Sequence, residues 1–395
     1  MAVLHSSAMF SPQQLIFLTV FIDLIGFGIV LPLLPSYAAA FRVSDTAIGF
    51  LVASFSLMQF LLAHWWGRLS DRIGRRPVLL VGLAGSAVSY LVFALAGSFW
   101  LLLVSRMVAG AMGATVNVAQ AYLADVTAPE RRASAMGLLG AAFGLGFVVG
   151  PALGGISSHW GDAGPGLIAS GLTGINLLLA WRWLPESRPG GAPAAVAVPV
   201  HWSRFLAPFA AVGLSTIAFT VLYVVFPLQV ERALGLDRHQ SAYLFVLIGL
   251  VSAVVQGGLI GRLVARYGER VLIGAGGLVL AAGLALLPAA LAPGAGFGLL
   301  LLALVLVAAG SATIAPSAAA CVSRVAPADE QGRALGLLQS VGAVARIAGP
   351  IAAGSLAAAF SPRVAFLAAS GAAGLAGISG MLGWKELRRT ATGAG

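Results

Sequence analysis

Apolar stretches of 18 or more residues recur from one end of the chain to the other, each closed by a short run of charged residues, Gly and Pro. Such a stretch, at about 1.5 Å of helix rise per residue, matches the roughly 30 Å hydrocarbon core of a bilayer. The breaks predict helices near 13–36, 46–66, 78–97, 99–122, 134–156, 164–184, 205–230, 240–260, 271–291, 297–319, 333–356 and 362–384. The fold class expected is therefore an all-α membrane protein with twelve transmembrane helices and no separate soluble domain.

Charge in the turns alternates. Arg68, Arg72, Arg75, Arg76, Arg131, Arg132, Arg182, Arg188, Arg204, Arg262, Arg266, Arg270, Arg324, Arg333, Lys385, Arg388 and Arg389 fall in one set of turns. The other set holds Arg42, Arg232, Arg238 and Arg363. Basic residues favour the cytoplasmic side, which places both termini and the central turn there and requires an even number of crossings.

Composition agrees with lipid as the main solvent: of 395 residues, 59% are hydrophobic and 9% charged, against about 25% charged in soluble proteins. The net charge of +10 lies in the turns and forms no basic face with interleaved aromatics, which argues against nucleic acid as a partner. One cysteine, Cys321, leaves no internal disulfide or cysteine metal cluster. No Lys or Arg precedes the first apolar segment, and that segment contains Asp23, Pro32 and Pro35. It reads as a retained helix, unlike a cleaved signal peptide.

The chain repeats itself. GRLSDRIGRRPVLL from Gly67 returns as GRLVARYGERVLIG from Gly261, and TAPERRASAMGLLGAAFGLGFVVGPALGG from Thr127 as VAPADEQGRALGLLQSVGAVARIAGPIAAG from Val325. Two pseudo-symmetric six-helix bundles follow, residues 1–184 and 204–395, joined by a Pro-, Gly- and Ala-rich cytoplasmic linker over 185–203. That duplication is the architecture of alternating-access transporters, which bind substrate at the midplane between the halves.

Four segments carry a resemblance: DLIGFGIVLPLLP from Asp23, GRLSDRIGRRP from Gly67, RMVAGAMGA from Arg106 and GFVVGPALGG from Gly146. With them the chain resembles the major facilitator superfamily, and within it the twelve-helix drug:proton antiporters, tetracycline efflux proteins being nearest. The resemblance implies a bacterial inner-membrane carrier that exports a small amphiphilic compound by alternating access. A proton gradient would supply the energy and no cofactor is called for. Tetracycline exporters carry an aspartate in the third helix where this chain has Ser89, which weakens tetracycline itself as the substrate.

Asp23 is the only acid inside a predicted helix, about 15 Å deep by its position along the helix. Desolvation favours its neutral form and a nearby cation its charged form, which suits proton coupling. The alternative is a structural partner for a buried arginine. Arg106 falls at about the same depth, on a stripe with Gly110, Gly113, Asn117 and Gln120, and the family implicates the matching arginine in coupling. Arg346 lies mid-helix where the first half has Phe147. It could meet Asp23, bind an anionic substrate group or bond to backbone. Gln59, Asn176, Thr220, Tyr223, Gln256 and Gln339 are further cavity candidates, with Phe143 and Tyr243 beside them.

Gly146, Gly150, Pro151, Gly154 and Gly155 allow close helix approach, as do Gly249, Ala253, Gly257 and Gly261. The resemblance implies that the fifth and eighth helices meet across the two halves and seal the cytoplasmic side. Asp71, in the turn with Gly67, Arg72, Gly74, Arg75 and Arg76 and near Asp125, is expected to cap a neighbouring helix and pair with arginine. The family implies that it latches the halves in the outward-facing state. The repeat has Ala265 in its place, so one latch is expected.

Other classes are less well served. All five histidines fall at helix ends or in turns, and the single lysine forms no phosphate loop. A nutrient facilitator or symporter would share the fold, and a non-transporting sensor would not need Asp23 and Arg106 at one depth. Small molecules, protons and lipid are the expected partners, and two complete halves make a monomer the default.

Overall fold

The computed structural model describes residues 11–113, 115–127, 132–187, 205–326 and 331–382. Every element among them is helical, because backbone groups in hydrocarbon must pair within their own segment. In the first half, α1 is Pro12–Val30, continued after a turn by Leu34–Ala39; α2 is Asp45–Ile73; α3 is Arg75–Ala94; α4 is Phe99–Met112 resumed as Thr115–Asp125; α5 is Arg132–Ser158; and α6 is Gly164–Trp183. In the second, α7 strings together Leu206–Phe219, Val221–Val224 and Phe226–Leu234, and α8 runs through Arg238–Val254 and a π turn, Val255–Leu259. The helix Ile260–Ala290 completes α8 and, past a break, forms α9; α10 is Phe297–Val325, α11 Gln331–Ala359 and α12 Pro362–Leu382.

Among the described residues ten helices are long and apolar enough to span a bilayer. One of them, Gln240–Ala290, has 51 residues, about 77 Å of helix and over twice the hydrocarbon thickness. Gly268, at φ 78° and ψ 160°, divides it into two crossings. The apolar stretch Leu145–Ser158 of α5 supplies another, so the twelve predicted crossings stand. The expected linker lies mostly outside the described residues.

Local signals start the helices where the sequence places them. Ser44, Ser98 and Asp237 accept the N–H of Ala47, Leu101 and Gln240 at 3.3, 3.3 and 2.8 Å, each covering an otherwise orphaned donor. The ends differ at the arginine-rich side, called here the basic end. There α2 runs to Ile73 and α10 to Val325, one to two turns past the apolar stretch, since arginine reaches the interface on a long stem without ending its helix. Several buried hydroxyls are satisfied locally: Ser54, Ser89 and Ser105 donate to carbonyls three residues back at 2.7, 2.8 and 2.7 Å. Large apolar side chains such as Trp100, Leu178, Leu250 and Leu375 point outward, the arrangement that lipid favours.

Within the first half, α1 packs on α5 and α6; across the halves, α2 packs on α11 and α5 on α8. The glycine stripe of α5 serves the first of these contacts. A Cβ on Gly150 would stand 2.7 Å from Gly28 Cα, and one on Gly154 2.8 Å from the Ile29 carbonyl, while Gly146 faces Leu24. This corrects the expectation that the stripe of Gly146, Gly150, Pro151, Gly154 and Gly155 packs against the eighth helix. The meeting of α5 and α8 uses Gly249 instead, set against the backbone of Phe147 and Val148.

Away from the basic end the halves are sealed. Gly49 of α2 lies against the Pro350 backbone of α11, Gly354 against the Asp45 carbonyl, and Ser36 donates to Glu231. Toward the basic end they diverge. Gly257, Gly258, Gly261 and Gly336 would each accept a Cβ without meeting anything within 4 Å. The seal expected at the arginine-rich side is thus found at the opposite one. Gly49→Ala and Gly249→Ala should each lower the melting temperature in detergent, as overpacking of about 1–3 kcal/mol requires. Gly257→Ala and Gly261→Ala should leave it unchanged or raise it; equal behaviour of the two pairs would contradict the one-sided seal.

Candidate functional site

Below the seal a cavity of about 410 Å³ opens between the halves, within the range of roughly 300–1,000 Å³ that holds drug-sized ligands. Its first-half wall carries Phe27, Phe55 and Phe147, with ring centroids 4.9 Å apart for Phe27 and Phe55 and 6.0 Å for Phe27 and Phe147. The second-half wall carries Phe219, Tyr223 and Phe245, with Tyr223 5.5 Å from Phe219 and 6.0 Å from Phe245. Polar groups are few: chiefly serines and threonines, Gln256, Arg106 and Arg346. Broken helices shape it. The turn after Val30 in α1, the interruption of α7 at Thr220 and the π turn of α8 all border the cavity, where irregular backbone is tolerated because it does not face lipid.

Arg106 is 1% exposed, with its guanidinium carbon 5.7 Å from the ring centroids of both Tyr90 and Phe93. Its Nε and Nη2 have no hydrogen-bond partner. Asp23 and Arg106 both act electrostatically on Tyr90, so the charge of the acid is felt at the same buried phenol on which the arginine packs. Tyr90 fits there because Gly26 has no side chain: a Cβ would stand 2.9 Å from its ring. A proton moving on or off Asp23 would alter the field at Tyr90 and Arg106 in surroundings of low dielectric.

Thr220, Tyr223, Gln256 and Arg346 line the cavity as expected from their positions. Other candidates stand elsewhere. Gln59 donates to the Gly113 carbonyl at 2.7 Å and Trp66 to the Ala111 carbonyl at 2.6 Å, covering acceptors freed where α4 breaks. That break at Gly113 interrupts the predicted stripe, leaving Asn117 exposed and Gln120 half-buried beyond the cavity. Asn176, buried, ties α6 to α1 through the Thr19 carbonyl at 2.8 Å. Tyr243 borders a separate surface pocket with Leu244 and Phe297, Gln339 is exposed on the basic-end part of α11, and the Phe143 side chain lies outside the described residues.

At the basic end, Arg75 joins Asp71 at 2.9 Å and Asp125 at 3.2 Å and also reaches Ser70. Glu186 accepts the N–H groups of Arg75 and Arg76 at 2.8 and 3.1 Å, so Glu186 caps the N-terminus of α3. Gly74, at φ 101°, makes the reversal that only glycine adopts without strain. Gly67 and Arg72 hold open positions. Among the described residues, all of Arg75's partners belong to the first half.

The second half carries a copy with its charges exchanged. Glu269 occupies the repeat position of Arg75 and pairs at 3.0 Å with Arg324 near the end of α10, as Arg75 pairs with Asp125 at the end of α4. Gly268 repeats the positive φ of Gly74, and Arg270 donates to the Met381 carbonyl as Arg76 does to that of Trp181. The second half therefore keeps an ion pair at its basic end although Ala265 stands where the first half has Asp71.

Two six-helix bundles around a cavity closed at one membrane face define a polytopic membrane transporter. The Major Facilitator Superfamily model matches residues 16–210 and again 208–394, and the chain belongs to that family. It is 36% identical over 351 residues to the class C tetracycline resistance protein of Escherichia coli, covering 84% of this chain and 86% of that one. The crystal structure of the human organic anion transporter MFSD10 (TETRAN) superposes with a TM-score of 0.70 at 26% identity, over 93% of this chain and 98% of that one. A bacterial homologue of the human lysosomal transporter Spinster, in an inward-facing and unoccupied conformation, gives 0.76 at 16% identity over 96% and 97%.

Glu269→Arg and Arg324→Glu should each lower the melting temperature by several degrees, whereas the double exchange should recover at least half of the loss, because attraction between opposite charges has no preferred order. Additive losses in the double variant would mean that the two residues do not act as a pair.

Proposed function

We propose that the protein is a proton-coupled exporter of a small amphiphilic compound that works by alternating access, with its basic end in the bacterial cytoplasm. The observation that carries this reading is the cavity, closed on one side by glycine-mediated backbone contact, splayed on the other, and lined by Arg106, whose guanidinium lies against Tyr90, a phenol on which Asp23 also acts. The excess of arginine in one set of turns supports that end as cytoplasmic. The splayed end then faces the cytoplasm, so the structure corresponds to the inward-facing state. Likeness to tetracycline resistance proteins supports efflux and drug-like cargo. Ser89, fully buried and bonded to its own helix, supplies no second acid, which favours a single exchanging carboxyl.

Alternating access follows from the packing. The α2–α11 and α5–α8 contacts break on one side of the cavity as counterparts form on the other. Gly257, Gly261 and Gly336 give the basic end room to close. Asp23, ionised or protonated, changes the charge that Tyr90 and Arg106 experience and so biases the two arrangements differently.

In proteoliposomes with an imposed pH gradient, wild type should drive tetracycline or another amphiphilic drug against its concentration gradient. Asp23→Asn should reduce this by about tenfold or more while retaining exchange of labelled for unlabelled drug. Accumulation that survives collapse of the pH gradient, or an Asn variant as active as wild type, would overturn proton coupling at this residue.

A further inference from the structure

Arg346 stands on α11 in the wall of the cavity, exposed to its interior. It forms no ion pair among the described residues, and Tyr223 is the titratable group that acts on it. Arg106 borders the same cavity with two guanidinium nitrogens unpartnered. Among the described residues no Asp or Glu lines the cavity. A space within a membrane protein that presents one accessible cation, Arg346, a second cation buried in its wall, no lining carboxylate among the described residues and six aromatic rings is matched to an anion with a flat apolar body.

From these observations we propose that the transported compound is an aromatic organic anion, its carboxylate, sulfonate or enolate held by the Arg346 guanidinium and its rings packed between the two phenylalanine-rich walls. The inference rests on the transport reading above and specifies its cargo. Arginine suits the role because its planar fork donates two parallel hydrogen bonds to such a group. The first-half counterpart of Arg346 is Phe147, so the pseudo-symmetric position presents a ring where the second half presents a charge, and the cargo is oriented by that asymmetry. Position on the helix adds a consequence. Pro350 and Gly354 follow Arg346 at successive four-residue intervals, and both touch α2 in the seal. An anion on Arg346 therefore sits one turn below the contact that must open to release it.

The test uses purified full-length protein and a matched pair of fluorescent probes, pyrene-1-sulfonate and (pyren-1-ylmethyl)trimethylammonium, with pyrene-1-methanol as the uncharged reference, all read by fluorescence anisotropy. Wild type should bind the sulfonate about tenfold or more tighter than the ammonium probe. Arg346→Gln should lose that preference while still binding pyrenemethanol, Arg346→Lys should keep part of it, and Arg346→Glu should reverse it. Equal affinity of wild type for both charged probes would overturn the proposal without reference to any variant, as would an Arg346→Gln protein that binds pyrenemethanol and retains the full sulfonate preference. Because binding is read without a gradient, failure of proton coupling in proteoliposomes leaves this result intact, and loss of charge selectivity leaves the transport reading standing.

Discussion

A guanidinium that is 1% exposed in the middle of a membrane protein must be compensated where it lies, and the first half is organised around that demand for Arg106. Compensation comes from the faces of Tyr90 and Phe93, and Asp23 acts electrostatically on the same Tyr90. The segment DLIGFG of α1 makes all of this fit: Asp23 supplies charge, Gly26 admits the Tyr90 ring, and Gly28 lets α5 approach through Gly146 and Gly150. One six-residue stretch therefore sets the electrostatics of the bundle and the packing of the helix beside it. A bulkier residue at Gly26 would displace Tyr90 and leave the arginine exposed to hydrocarbon without its ring.

The second constraint is that backbone brought close at one end of the cavity cannot be equally close at the other. Gly49, Gly249 and Gly354 form the closed contacts, and Gly257, Gly261 and Gly336 the open positions. They lie on helices that continue through both regions, so closing one end of α8 or α11 is mechanically tied to opening the other. The ion pairs Arg75 with Asp125 and Glu269 with Arg324 brace each half internally at the basic end. Each half can then move as a body while the contacts between halves are exchanged.

Much of the fold was legible in the sequence because lipid imposes one strong periodicity. The twelve crossings, the repeat and the basic turns all follow from where apolar stretches stop, and Asp23 and Arg106 stand out as charges where charges are costly. Side-chain direction was less legible. Gln59 and Asn176 read as cavity residues by polarity alone, yet Gln59 covers the α4 break and Asn176 binds the Thr19 carbonyl, partners that spacing along one helix does not reveal. The aromatic walls were hidden among other phenylalanines because the cavity is assembled from helices far apart in the chain. Glu269 and Arg324 had a readable signal: continuing the GRLSDRIG repeat by one residue sets Glu269 under Arg75, and Arg324 lies one residue beyond the position that the match of Thr127 with Val325 sets under Asp125. The exchange of sign concealed it from any search for identical residues.

The central claim is that the charge state of the Asp23 group and the side on which the halves are sealed are one coupled equilibrium. Pulsed electron–electron resonance distances test it directly, with spin labels on α2 and α11 in one pair near Asp45 and Ala357 and in another near Ile73 and Arg333. Between wild type and Asp23→Asn, the account predicts that the two distance distributions shift in opposite senses, one end closing as the other opens. Distributions that are unchanged at both ends, or that shift in the same sense, would contradict it.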